Sequence, residues 1–395
     1  MLNTAFSPWP AFTQEEADAV SRVLLSNKVN YWTGNECRQF EQEFAAFAGT
    51  GYAIALGNGT LALDLALKAL GIGPGDEVVT TPRTFLASAS SIVTAGATPV
   101  FAEVDRDTQN ITAESIRAVL SPKTRAVICV HLAGMPCDMD PIMALAQERD
   151  LFVIEDCAQA HGATYKGKSV GSIGHVGAWS FCQDKIMTTG GEGGMVTTND
   201  RALWSRMWSY KDHGKSWEAV YEREHPPGFR WLHESFGTNW RMTEMQGVIG
   251  RIQLQRMADW TAKRRANADR LWQVARNLPG LRVPELPEWA GHAAYKCYVF
   301  VEPGQLAAGW DRDRIMQAIN ARGVPCFSGS CSEVYLEKAF DGCASDGRTW
   351  RPAERLPVAR ELGETSLMFL VHPTLTQEEM DKTCLVLSQV MAEAT

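Results

Sequence analysis

Between residues 50 and 200 short apolar runs alternate with amphipathic ones, and this limits the fold more than any other feature. "YAIAL", "DEVVTTP", "TPVFAEVD", "TRAVICVH" and "LFVIEDC" read as strands. Between them "GTLALDLALKALG", "LASASSIVTAG", "AESIRAVL" and "MDPIMALAQERD" read as helices. Strands rich in Val and Ile with helices between them argue for a mainly parallel sheet with helices on both faces. Ligands of such folds bind beyond the carboxyl ends of the strands. Asp156 stands at one such end, closing "LFVIED", where an unpaired buried charge would be costly.

After residue 240 the texture changes. "MTEMQGVIGRIQLQRMADWTAKRRANADRLWQVARNL" predicts a long helical region that stops at Pro279-Gly280. Shorter elements follow: "KCYVFVE", "DRDRIMQAINARG", "ETSLMFLV" and "TQEEMDKTCLVLSQVM". The expectation is a large α/β domain over 1–250 with an N-terminal arm, then a linking helix and a small α+β domain over 251–395. Thr13 with Glu16, and Thr376 with Glu379, have capping-box spacing and predict helix starts.

The net charge of −8 disfavours a nucleic-acid or anionic-membrane surface. No apolar run reaches the roughly 18 residues of a membrane helix. The start, "MLNTAFSPWPAFTQEEADAV", lacks a basic n-region and an apolar h-region, which predicts no signal peptide. The ten cysteines form no CxxC pair, so buried reduced thiols are expected in a cytoplasmic protein, with no metal site.

Lys185 precedes a run rich in glycine, Gly190, Gly191, Gly193 and Gly194, where the backbone must turn sharply or approach something closely. A lysine amine can form a Schiff base with pyridoxal phosphate, and that cofactor needs an anion at its pyridine nitrogen, which Asp156 could supply. "GNGTLALDLAL" sets Gly57, Asn58, Gly59 and Thr60 at a strand-to-helix turn, where free N–H groups suit a phosphate. Ser180 could add a hydroxyl. The segment is neither GxGxxG nor a P-loop.

Several ordered motifs carry a resemblance over nearly the whole chain. They are the stretch from "GTLALDLALKALG" to "TPVFAEVD", "VIEDCAQAHGATYKGKSVGSIGHVGAWSF", Lys185 with "TTGGEGGMVTTND", "HG" at 213–214, and "NWRMTEMQGVIG". The chain resembles the sugar aminotransferases of the DegT/DnrJ type. These belong to the aspartate aminotransferase-like fold type I of pyridoxal-phosphate enzymes. The resemblance implies transfer of an amine from an amino acid, with L-glutamate the expected donor, to a nucleotide-linked keto-sugar. It implies Lys185 as the Schiff-base lysine, Asp156 as partner of the pyridine nitrogen, and Gln159 beside the ring's 3-hydroxyl. Phe85 would stack on the ring, and Thr60, the backbone of Leu61 and Ser180 would hold the phosphate together with Gly59. Asn239 would reach the phosphate of the partner subunit, which implies a homodimer with shared active sites.

Without the resemblance, Phe85 reads as core, Gln159 as a polar loop residue and Asn239 as an N-cap. His161 and His213 read as structural histidines. The chain departs from the family in "CQD" before the lysine and in "VPCFSGSCSEVYLEKAF", which makes 324–340 the expected specificity segment. Two other activities compete: sugar dehydration on the same fold, whose enzymes usually replace the lysine by histidine, and a non-catalytic regulator that kept the cofactor fold. Lys185 and Asp156 are both present, which favours transamination.

Overall fold

The structure is a computed structural model and describes residues 5–344, 347 and 349–395. Its centre is a sheet built from β1 (Tyr52–Leu56), β2 (Glu77–Thr80), β3 (Thr98–Phe101), β4 (Thr124–Val130) and β5 (Phe152–Asp156). A small hairpin, β6 (Thr164–Tyr165) and β7 (Lys168–Ser169), interrupts before β8 (Val176–Ser180) and β9 (Gly194–Thr198) complete the sheet. The order is β1-β9-β8-β5-β4-β2-β3. All pairings from β8 to β3 are parallel, whereas β9 is antiparallel to both β1 and β8. A parallel return needs a crossover, normally a helix. The connection 181–193 contains none, so the chain doubles back, and Lys185 lies on that bend.

Helices cover both faces, as the alternating pattern requires. They are α1 (Gln14–Leu25), α2 (Glu36–Ala48), α3 (Gly59–Ala69), α4 (Ala87–Thr94), α5 (Ala113–Val119), α6 (Met139–Arg149), α7 (Arg201–Lys211) and α8 (Trp217–Tyr221). One face buries Leu63, Leu67, Ile92 and Met207 from α3, α4 and α7 against Ile54, Val78 and Ile154. On the other, α5 and α6 set Ile116 and Ile142 against Val127 and Val153, while Phe40 and Phe44 of α2 meet Trp179 and Phe181. Asn58 starts α3, its side chain accepting the Leu61 N–H at 3.0 Å.

The expected long helical region is two helices, α9 (Glu244–Gln255) and α10 (Met257–Ala275), which meet at Arg256. The Arg256 guanidinium is committed to Glu15 and Glu16 at the start of α1, at 2.6 and 2.7 Å. Beyond α10, four antiparallel strands run in the order β10 (Leu281–Arg282), β12 (Cys297–Val301), β14 (Ser366–Phe369), β13 (Cys326–Phe327); between the first two, β11 (Ala290–Gly291) pairs with β6. Three helices accompany them: α11 (Arg312–Ala321), α12 (Pro357–Thr365) and α13 (Gln377–Ala394). Leu271 of α10, Ile315 of α11 and Leu387 of α13 share one core with Val299 and Leu367. Both capping boxes form, at Thr13/Glu16 and Thr376/Glu379. Cys331 and Cys343 are exposed, Cys182 is half-buried, and the other cysteines are buried and unpaired. None of the described helices is long and apolar enough to cross a membrane.

Candidate active site

A cavity of about 520 Å³ opens where β5 and β8 end and α3 begins. Asp156, Gln159, Phe85, Gly59, Thr60, Leu61, Ser180 and Lys185 all line it. Asn239 does not: it is exposed and bridges to Asp212, and the N-cap of α9 is Thr243.

Asp156 is buried at the last position of β5. Its Oδ2 accepts from Ser88 Oγ at 2.7 Å and its Oδ1 from the Ala158 N–H at 3.1 Å. Burial pushes its carboxyl above the usual range, and Ser88, Ala158 and Lys185 only partly offset this. Gln159 Oε1 accepts the Ala133 N–H at 2.8 Å, which fixes the amide and leaves its nitrogen as the free donor. Phe85 is 68% exposed and is therefore no core residue; its ring overhangs the cavity.

Where α3 begins, the first-turn amides of Gly59 and Thr60 have no intrahelical acceptor. The Leu61 N–H is held by Asn58. The starts of α3 and β9 are pressed together here. A Cβ on Gly59 would lie 2.5 Å from Ser180 Cβ, and one on Gly194 would lie 2.2 Å from the Asn58 carbonyl oxygen. Gly190 and Gly191 have φ of 92° and 121°, which suits glycine. The run thus serves a turn and a close approach, and not open space around the lysine.

Lys185 is held by its backbone. Its N–H donates to Cys182 O at 3.1 Å, and its carbonyl accepts from Trp9 Nε1 at 2.8 Å. Its Nζ lies 3.8 Å from Asp184 and 5.3 Å from the centre of the Tyr295 ring. Asp184 also accepts from the Tyr295 hydroxyl. Sequence reasoning missed Ser88, Asp184 and Tyr295. Only Asp184 carried a signal, its adjacency to the lysine.

His161 is fully buried among Phe44, Trp179 and Phe181, and burial draws it down to about 3. It is neutral at physiological pH and does not line the cavity. His213 is exposed, in a left-handed turn, away from the cavity lining. His131, Glu155 and Cys157 lie close enough together to hold a metal. His131 Nδ1 accepts the Cys137 N–H at 3.0 Å, so Nε2 carries the proton toward Glu155 at 2.9 Å. Glu155 also accepts from the amides of Gly171, Ile173 and Gly174. Those lone pairs are spent on anchoring the end of β5.

Comparisons with known proteins bear on this arrangement. The solved structure of an aminotransferase from Psychrobacter cryohalolentis superposes with a TM-score of 0.95 at 68% identity, covering 98% of this chain and 99% of that one. A GDP-perosamine synthase of Caulobacter vibrioides is 37% identical over 358 residues, 89% of each chain. The UDP-N-acetyl-3-dehydro-alpha-D-glucosamine 3-aminotransferase of Acidithiobacillus ferrooxidans is 36% identical over 397 residues, 99% of this chain and 96% of its own. The profile of the DegT/DnrJ/EryC1/StrS aminotransferases matches residues 10–388, and the chain belongs to that family.

Proposed function

We propose that the cavity holds pyridoxal 5'-phosphate and that the chain moves an amino group from L-glutamate to a keto-sugar carried on a nucleotide. The observation that carries this is Asp156: a buried carboxylate with two donors, a raised pKa and no cation in contact among the described residues, across one cavity from a lysine amine. A protonated pyridine nitrogen is the cation it lacks. The amides of Gly59 and Thr60 and the Ser180 hydroxyl suit the phosphate. The free Gln159 amide suits the phenolic oxygen, and the exposed Phe85 ring suits a flat aromatic face. When bound, the cofactor supplies the electron sink that lets the donor's α-proton leave.

The chain's own residues do the rest. Lys185 Nζ would hold the cofactor through its aldehyde carbon, with loss of water, and, once displaced by the donor's amine, would carry the proton from the donor's α-carbon to that former aldehyde carbon. Asp156 holds its charge opposite the ring nitrogen. Trp9 and Asp184 fix the lysine's backbone and surroundings. GDP and UDP both occur among the relatives' names, so the reading covers nucleotide-linked keto-sugars as a class. For sugar recognition we favour 324–340, because the Thr84 N–H donates to Cys331 O at 3.1 Å and the Val334 N–H to Pro82 O at 2.9 Å, directly before Phe85.

We assign Asn239 to the cavity of a second copy in a two-fold dimer. It lies outside its own cavity, on a segment that exposes Phe229, Trp231 and Phe236. Such a surface suits a partner. The reading places the reaction in the cytoplasm, in keeping with ten unpaired thiols. The test is direct. The purified protein should be yellow, L-glutamate should bleach the imine band, and borohydride should fix the cofactor on Lys185. Peptide mapping to another lysine would sink the reading.

A further inference from the structure

A second cavity, of about 350 Å³, lies beside the first and shares Asp184 with it. Arg264 of α10 lines it, is 1% exposed, and has no hydrogen-bond partner for Nε or one terminal nitrogen among the described residues. Burial draws this guanidinium down to about 9, with only Tyr295 opposing. Trp9 roofs it, the guanidinium carbon lying 4.8 Å from the ring centre. Lys296 enters the same cavity, and burial draws its amine down to about 8. His372 completes the basic lining; burial brings it to about 4, so it is neutral. Asp184 is the only carboxylate among the lining residues, and it is already engaged by Tyr295 and Lys185. An unpaired buried guanidinium is costly, and chains keep one where an anion binds.

The position identifies the anion. Lys185 Nζ and Lys296 Nζ lie 5.3 and 4.7 Å from the centre of the same Tyr295 ring, which puts the two ammonium groups within about 10 Å of each other. In a five-carbon dicarboxylic amino acid the nitrogen and the far carboxyl carbon are about 5 Å apart when extended. A hydrogen bond adds about 3 Å. A donor whose amine sits at Lys185 thus extends its far carboxylate, with a hydrogen bond, about 8 Å toward this cavity, and a short donor such as alanine has no such carboxylate.

We propose that Arg264 and Lys296 bind the side-chain carboxylate of the amino donor and thereby select a dicarboxylic amino acid of the glutamate type. This rests on the reading of Lys185 as the centre of amine transfer.

The two half-reactions of the holoenzyme separate the alternatives. In Arg264→Met and Lys296→Met the half-saturating concentration of L-glutamate should rise about ten- to a hundredfold. Conversion by L-alanine and by the amino-sugar product should change by less than about twofold. Arg264→Met should also melt no lower than wild type, since an unpaired charge has left the interior. Glutamate saturation like that of wild type overturns the proposal. So does an equal loss in both half-reactions, which would assign the cations to the nucleotide's phosphates or to the fold. A further measurement needs no variant: glutarate, which has no amine, should slow acylation of Lys296 by acetic anhydride in the wild-type holoenzyme, read by peptide mass. Absence of protection overturns the proposal even if the variants do not fold. A wild type that no amino acid converts overturns the transfer reading and this site with it. A wild type converted by glutamate, with variants of unchanged saturation, overturns the site alone.

Discussion

Glu155 and Asp156 are neighbours on β5, and strand alternation sends them to opposite faces. Both are buried acids. Glu155 meets His131 and three backbone amides, and these hold its carboxyl below the usual range in spite of burial. Asp156 meets one hydroxyl and one amide, and burial wins: its carboxyl stands above the usual range. One face of the strand is completed by the chain itself. The other is left short of positive charge, and that shortfall marks where a ligand belongs.

The largest expected effect lies on the incomplete face. Lys185→Ala should lower turnover by at least about 10³-fold. Its unfolding free energy should stay within about 1 kcal/mol of wild type in the absence of cofactor. Retained turnover would leave Asp156 facing no reactive partner.

Exchanging acid for amide at the two neighbouring positions should give crossed results. Asp156→Asn should cost about 10²–10³-fold in turnover. It should not destabilise the apoprotein, because the amide can donate to Ser88 and still accept from Ala158. Glu155→Gln should cost about 2–4 kcal/mol in urea unfolding, because its NH₂ must face an N–H donor on either side. Equal stability losses would break the contrast between the two faces.

A smaller effect tests whether a second chain completes the cavity. Lys185→Ala and Asn239→Asp should each be inactive. Random exchange of subunits should restore about a quarter of wild-type activity, since half the dimers are mixed and each mixed dimer has one intact site. No recovery, despite demonstrated exchange, would return Asn239 to its own subunit.

The smallest effect is in pH dependence. The raised carboxyl of Asp156 contributes stability that is present below its ordinary value of 3.8 and is lost as pH rises through the raised value. The lowered carboxyl of Glu155 contributes stability that is present above 4.5 and is lost as pH falls through the lowered value. The advantage of Asp156→Asn apoprotein over wild type should therefore grow as pH rises above about 3.8. The deficit of Glu155→Gln should shrink below about pH 4.5. Urea midpoints against pH measure both, and slopes of the same sign would remove the contrast.

Much of this was readable from residue order. The place of Asp156 at a strand end followed from the end of an apolar run, and the start of α3 from the turn before it, because both are local rules. The reversal of β9 was not, since it depends on a connection without a helix, and "TTGGEGGM" looks the same whether it opens space or fills it. Phe85 alone reads as core, and only the assembled sheet shows it overhanging the cavity. Arg264 and Lys296 carried no pattern at all. Their meaning comes from the lack of a carboxylate paired with Arg264 among the described residues, which only packing reveals.

The bend 181–193 has a consequence for motion. Lys185 is not on a lid. Both legs of its loop are interior strands, and β8 and β9 are hydrogen-bonded to each other. The loop ends cannot part without opening the sheet. The side chain must travel on a stationary backbone. In hydrogen-exchange terms, the amides of Lys185 and Thr189, bonded to Cys182 O and Phe181 O, belong with the slow, globally protected set and not with the surface loops.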